Sequence, residues 1–399
     1  MYEIKTTSLL KKIMSDYFQS FHNKSTPVAW CTSVGPAELL RSFGFEVYFP
    51  ENHGALLGAS RTSGDFIPEA AKNGYSGDIC SYLTSDIGSF LKKQTPLTKQ
   101  YGLDSIPKPD LIVYNTNQCR EVQDWFSFYA REFDCPIYGI VPPRYVGNIT
   151  EEEVTDVVAQ FKGMISVCEN VTGKNFDIDR FRDTVRLSKL ATMAWKDVLN
   201  TARHSPSPLS FFDGVIHMGP IVVLRGTQTA VDYYIKLLEE LNTNQKKGSG
   251  ILDKENCRVY WEGMPIWGKL RSLSELFLRN RTAVVASTYC NSWIFDDFDE
   301  KDPFKSTALA YTKIFINRSE QVKLEMMKTI IEDFNINGVI FHDSKTCFNN
   351  SNARFGLPLR LKEMCGVETL IVEGDLCDLH FFSEAQSTTK IETFIEQMT

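Results

Sequence analysis

The chain has 399 residues, ten of them cysteine, with 43% hydrophobic residues, 23% charged residues and a formal net charge of −7. That length exceeds one ordinary core and predicts two domains, while an acidic balance with no basic block argues against nucleic acid as a partner. No apolar run reaches the length of a membrane span and the first residues lack a signal peptide's apolar core, so a cytoplasmic location is expected, with the cysteines as free thiols or metal ligands rather than disulfides.

Taken in chain order, residues 1–20 form a polar amphipathic segment that predicts an N-terminal helix. In 21–150, runs rich in β-branched and aromatic residues predict strands at 27–31, 46–50, 111–115 and 136–141, with helical patterns at 36–43 and 122–133 among them. A connecting region, 151–250, is helical. Val154, Val157, Val158, Phe161, Met164 and Ile165 have helical spacing over 151–171. Asp177 then caps a helix running to about residue 203, Ser205-Pro-Ser-Pro208 breaks it, and a third pattern covers 227–242. The polar stretch 242–250 reads as an exposed loop. In 251–399, strands are predicted at 258–262, 283–287, 338–342 and 369–373. Continuous apolar strands alternating with helices imply parallel sheets covered on both faces. The expected fold class is α/β: two Rossmann-like domains with parallel sheets, joined by the helical segment, with the functional site between them.

Three cysteines stand out. Cys80, Cys119 and Cys347 each lie at an expected helix start beside a polar loop, the last two just after a strand. That sheet edge is where open α/β folds bind ligands, and a helix N-terminus favours a thiolate. Brought together, three such thiolates would make an iron–sulfur site with one iron left open. Cys31, Cys290 and Cys377 also follow strand ends, whereas Cys135, Cys168, Cys257 and Cys365 read as packing residues. There is no Cys-x-x-Cys pair, no Gly-x-Gly-x-x-Gly and no Walker A pattern, so no nucleotide is expected on this chain.

An ordered set of motifs carries a resemblance: Cys31-Thr-Ser-Val-Gly-Pro-Ala-Glu38, Phe49-Pro-Glu-Asn-His53, Asp78-Ile-Cys80-Ser-Tyr with Ser85-Asp-Ile-Gly88, and Asn117-Gln-Cys119 in the first half. The second half adds Gly219-Pro220, Leu224-Arg-Gly-Thr227, Val284-Val-Ala-Ser287, Ser344-Lys-Thr-Cys347, and Glu373-Gly-Asp375 with Phe381-Phe-Ser383. In these residues, over about 27–382, the chain resembles the benzoyl-CoA reductase and 2-hydroxyacyl-CoA dehydratase family, in its cluster-bearing subunits rather than its ATP-hydrolysing activator.

The resemblance implies that Cys80, Cys119 and Cys347 hold one [4Fe–4S] cluster. Its open iron would bind a thioester carbonyl or hydroxyl and deliver an electron at low potential to form a ketyl radical. It also implies an acyl-CoA substrate, a homologous cluster-bearing subunit in a homo- or heterodimer, and an ATP-dependent iron–sulfur activator. The activity it implies is either an oxidoreductase of benzoyl-CoA reductase type or a lyase of 2-hydroxyacyl-CoA dehydratase type. The phrases around Val215-Ile-His-Met-Gly-Pro220 and Arg225-Gly-Thr-Gln228 lean toward the aromatic reductase.

Three residues are assigned catalytic roles from their place after the first two strands. Ser33 would hydrogen-bond the substrate oxygen or else cap a helix; Glu51 and His53 would move protons or else lie in a surface loop. Glu262 has the same two readings. Arg225 and Lys345 are candidates for CoA phosphates, and Tyr82, Trp261 and Trp267 read as core. Three alternatives remain open. Cys31, Cys290 and Cys377 could ligate a second cluster, as in double-cubane reductases of small molecules. The chain could be a non-catalytic electron relay or scaffold. It could also be a zinc-bound or metal-free binding protein.

Overall fold

The computed structural model describes residues 4–399. Its eight strands are β1 (Val28–Cys31), β2 (Glu46–Tyr48), β3 (Leu111–Asn115), β4 (Ile137–Ile140), β5 (Cys257–Glu262), β6 (Thr282–Ser287), β7 (Gly338–Ser344) and β8 (Glu368–Gly374). They form two four-stranded sheets of one plan, β2-β1-β3-β4 and β6-β5-β7-β8, with every pairing parallel. The expected α/β class with two Rossmann-like parallel sheets is therefore present. The central strands are apolar on both faces because helices cover both: Ala29, Trp30, Cys31, Val259, Tyr260 and Trp261 have no exposed surface.

In each sheet the second strand lies on one side of the first and the third on the other. The direction in which strands are added thus reverses between β1 and β3, and again between β5 and β7. Loops leaving the C-terminal ends of such a pair diverge and open a crevice.

Helices supply the rest. The N-terminal helix is Thr7–Ser20, and residues 1–3 of the expected segment lie outside the described ones. The connecting region contains Glu151–Thr172, started by a reciprocal cap between Thr150 and Glu153, and Ile178–Asn200, capped by Asp177. A third helix, Gln228–Lys246, begins at Thr227 and runs a turn further than its pattern indicated. Its added residues are polar and face solvent, where no apolar period marks them, so the exposed loop is shorter than expected.

A buried polar seam locks this region to both sheets. Arg225 Nη2 donates to the Gly35 carbonyl (3.1 Å), Nη1 to that of Val222 (2.8 Å) and Nε to the Tyr311 hydroxyl (3.0 Å). Tyr311 in turn donates to Glu38 Oε2 (2.6 Å), and Ser188 to Glu38 Oε1 (2.5 Å). Asn117 Nδ2 spans from the Val34 carbonyl (2.9 Å) to that of Tyr311 (2.7 Å). Arg225 has no exposed surface, which removes it as a phosphate ligand. Among the described residues no helix is long and apolar enough to cross a membrane.

Candidate functional site

The crevices of the two sheets open into one cavity of about 450 Å³. From the first sheet it receives Ser33 after β1 and Gln118 and Cys119 after β3; from the second, Met264 after β5 and Cys347, Asn349 and Asn350 after β7. Cys80, at the head of the helix Ser81–Lys92, completes the thiol set. All three cysteines singled out in the sequence therefore line one space, contributed by both sheets.

Their local settings differ. Cys80 is the residue before its helix, Cys119 lies just before the helix Glu121–Phe133, and Cys347 precedes only one short 3-10 turn, Phe348–Asn350. The expectation that helix termini would lower these thiol pKa values does not hold. Burial pushes Cys80 up to about 12, with only partial relief from the Leu83 and Tyr82 N–H groups. Burial likewise raises Cys119, with Glu121 and Cys80 adding to it, and raises Cys347, with Cys80 adding to it. A helix terminus is worth at most about 2 kcal/mol, whereas desolvation moves a buried group by as much as about five pKa units. Without a metal the three are neutral thiols; a coordinated metal ionises such groups outright.

Among the described residues, no three His, Cys, Asp or Glu side chains gather closely enough to chelate a single ion. The donor set instead suits a larger guest: three soft thiols from three loops around a cavity, chemistry that favours iron–sulfur clusters over hard cations.

Beside the thiols stands a carboxylate. Glu51 is the second residue of the helix Pro50–Ala59 and buried, not part of a surface loop. Its Oε2 accepts from Ser33 N (2.6 Å) and Ser33 Oγ (3.0 Å), and Oε1 accepts from Gln118 Nε2. Ser33 therefore serves Glu51 rather than a helix N-terminus. Burial raises Glu51 to about 7 despite these donors, the range of a group that exchanges protons near neutrality.

His53 is not in this group. It is buried in the same helix, outside the cavity lining; its Nδ1 donates to Asp86 Oδ1 (2.5 Å) and its Nε2 pairs with the Thr95 hydroxyl (2.8 Å). Asp86 also accepts from Trp125 Nε1 (2.8 Å) and Tyr129 OH (2.6 Å). Both imidazole nitrogens are thus occupied, and the histidine orients Asp86 and, through it, the cavity wall at Trp125. Glu262 is also buried beyond the lining. It accepts from Asn352 Nδ2 (2.7 Å), burial raises it to about 7, and it steadies the segment that follows Cys347. Lys345 is exposed.

Cys31, Cys290 and Cys377 are absent from the lining. Each packs elsewhere: Cys31 against Gly35, Cys290 against Gly214, and Cys377 with its thiol on the Gly54 carbonyl (3.3 Å). Tyr82 and Trp267, read from sequence as core, do line the cavity, and Trp267 Nε1 donates to Tyr82 OH; Trp261 is core as expected. Sequence reasoning assigned no role to Gln118, Tyr289, Trp125 or Trp293 in the wall. The first two follow strand ends directly, a signal that was available; the tryptophans come from helical and irregular segments and carried none. The remaining wall is mostly aliphatic and aromatic, with Asn52, Glu121 and Ser292 among it, and its described residues include no lysine, arginine or histidine.

Residues 32–398 match the family model described as 2-hydroxyglutaryl-CoA dehydratase, D-component. The chain is 29% identical over 380 residues to the (R)-phenyllactyl-CoA dehydratase alpha subunit of Clostridium sporogenes, covering 93% of this chain and 89% of that one. It is 28% identical to the alpha subunit of lactoyl-CoA dehydratase from Anaerotignum propionicum (93% and 90% covered) and 28% identical to a benzoyl-CoA reductase chain from Thauera aromatica (90% and 86% covered).

Proposed function

The chain belongs to the 2-hydroxyglutaryl-CoA dehydratase D-component family, and from that premise we propose that it is the cluster-bearing subunit of an acyl-CoA dehydratase. The observation that carries this reading is the convergence of Cys80, Cys119 and Cys347 with Glu51 on one cavity between the two sheets. The three thiols would hold a [4Fe–4S] cluster, which supplies an iron open to a substrate oxygen and an electron of low potential. The rest is done by the protein. Glu51, near neutrality in its proton affinity, holds or yields a proton toward a departing hydroxyl or the adjacent carbon. Ser33 and Gln118 keep its oxygens in place. Apolar walls at Val122, Trp125, Val222 and Trp293 exclude water from the acyl chain.

Those walls also favour an acyl group that carries no second charge. A substrate carboxylate would meet Glu51 and Glu121 with no basic partner among the described lining residues. Reduction of an aromatic acyl-CoA is the second reading, favoured by the likeness to a benzoyl-CoA reductase chain and by the aromatic walls. Both readings call for a sister subunit, in keeping with the alpha-subunit names of the relatives, and for an ATP-driven electron donor as a separate partner, this chain carrying no nucleotide-binding motif.

The test is iron and acid-labile sulfide on chain purified and reconstituted without oxygen, wild type against Cys119→Ala. About four irons per chain, lost in the variant, are expected. Wild-type chain that takes up no iron would refute the reading, and about eight irons would return the second thiol set to consideration.

A further inference from the structure

Asp375 is buried without exposed surface just beyond β8, outside the cavity lining, and no step above uses it. It is nonetheless the most heavily bonded carboxylate near the thiols. Its Oδ1 accepts from the Ser81 hydroxyl, from Cys377 N (3.1 Å) and from Asp378 N (3.1 Å). Its Oδ2 accepts from Thr346 N (2.9 Å), Thr346 Oγ1 (2.7 Å) and Ser344 Oγ (3.3 Å). Two of these partners are chain neighbours of the thiols: Ser81 follows Cys80, and Thr346 precedes Cys347. They also join directly, Ser81 N donating to Thr346 Oγ1 (3.0 Å).

The Thr346 hydroxyl thus stands between the two thiol-bearing segments, accepting from one and donating to the carboxylate that grips both. Ser81 belongs to the helix beside the first sheet; Thr346 and Asp375 follow strands of the second. A single buried carboxyl group therefore ties together loops that reach the cavity from opposite sides. The Cys119 segment is tied in by another group, Arg144, which donates to the carbonyls of Thr116 and Gln118 and to Asn349 Oδ1 (3.2 Å) in the loop after Cys347.

We propose that Asp375 is a positioning residue that fixes the Cys80 and Cys347 thiols in one frame across the two sheets, and so determines how firmly the site retains an iron–sulfur cluster. This rests on the cluster reading above. Partners one bond removed from metal ligands orient them, and their loss commonly costs about 10–100-fold in metal affinity. The change Asp375→Asn cannot preserve the pattern. Both carboxylate oxygens accept backbone N–H groups, so either orientation of the amide sets its NH2 against a donor.

The decisive variants are Thr346→Val, which keeps the shape and removes the hydroxyl, and Thr346→Ser, which restores it, beside Asp375→Asn. Full-length chains are reconstituted without oxygen. Melting of the metal-free forms confirms folding, the rate of iron loss to a ferrous chelator is followed, and the reduced samples are compared by electron paramagnetic resonance. The expected result is iron loss at least about tenfold faster and an altered spectrum in Thr346→Val and Asp375→Asn, with wild-type behaviour in Thr346→Ser. Should Asp375→Asn not fold, the threonine pair decides alone. Wild-type retention and an unchanged spectrum in Thr346→Val, and in Asp375→Asn where it folds, would overturn the role of Asp375 while leaving the cluster reading intact. No iron in the wild type would overturn the cluster reading itself.

Discussion

Replacing Glu51 with Gln tests the proton affinity of the site without any cofactor. Burial, the dominant cause, moves this carboxyl from its ordinary 4.5 to about 7. The native chain therefore holds the Glu51 proton through a range of pH in which the unfolded chain has released it. The contribution to stability is fully present below about pH 4.5 and is lost as pH rises through about 7. The displacement corresponds to about 3 kcal/mol. In the variant, Gln118 can turn its amide oxygen toward the new NH2, and the other side still accepts from Ser33, so the bonds are kept while the titration is removed. Urea unfolding of both metal-free chains between about pH 5 and pH 8 reads the effect. The variant should gain on the wild type as pH rises, by about 2–3 kcal/mol across the range. The buried Glu262 titrates equally in both and cancels in the difference. A stability difference independent of pH would refute the reasoning.

Two further outcomes concern the scaffold. Asp86→Ala leaves the donors of His53, Trp125 and Tyr129 buried without their acceptor, and should cost about 3–5 kcal/mol in denaturant unfolding; a change under about 1 kcal/mol would mean those donors find other partners. Gly88→Ala places a methyl carbon 2.0 Å from the Phe66 carbonyl oxygen, so the helices Ser63–Lys72 and Ser81–Lys92 must separate. A loss of about 1–3 kcal/mol or more is expected, with weaker iron retention because Cys80 heads the second helix; an unchanged melting temperature would contradict the packing.

The strands were legible because each is a short run rich in β-branched and aromatic residues closed by a polar residue, glycine or a nearby proline, and Leu111–Asn115 has the bounds its sequence indicated. The three thiols were legible because two follow strand ends at the crevice of their sheets. What could not be read is direction in three dimensions. Glu51 and His53 are two residues apart on one helix, yet the first faces the cavity and the second is held by Asp86 and Thr95 behind it. A helix turns about 100° per residue, so only the packing decides which of the two reaches substrate. The thiol pKa values ran opposite to the local rule for the same kind of reason: the enclosure that raises them comes from both halves of the chain. Gly88 shows the converse, a motif glycine whose role is close helix contact rather than chemistry.

The seam around Arg225 has a consequence for how the molecule comes apart. Its guanidinium is shared between a carbonyl after β1 and Tyr311, whose hydroxyl serves Glu38 beside the first sheet. Cutting the chain in the exposed stretch after Lys246 would not release two modules. The first fragment would keep Arg225 and Glu38 but lose Tyr311, leaving a buried charge pair with its bridge missing. Buried polar groups are costly to leave without their hydrogen-bond partners, so the halves should melt in one cooperative transition, and a nicked chain should stay associated until both sheets unfold together.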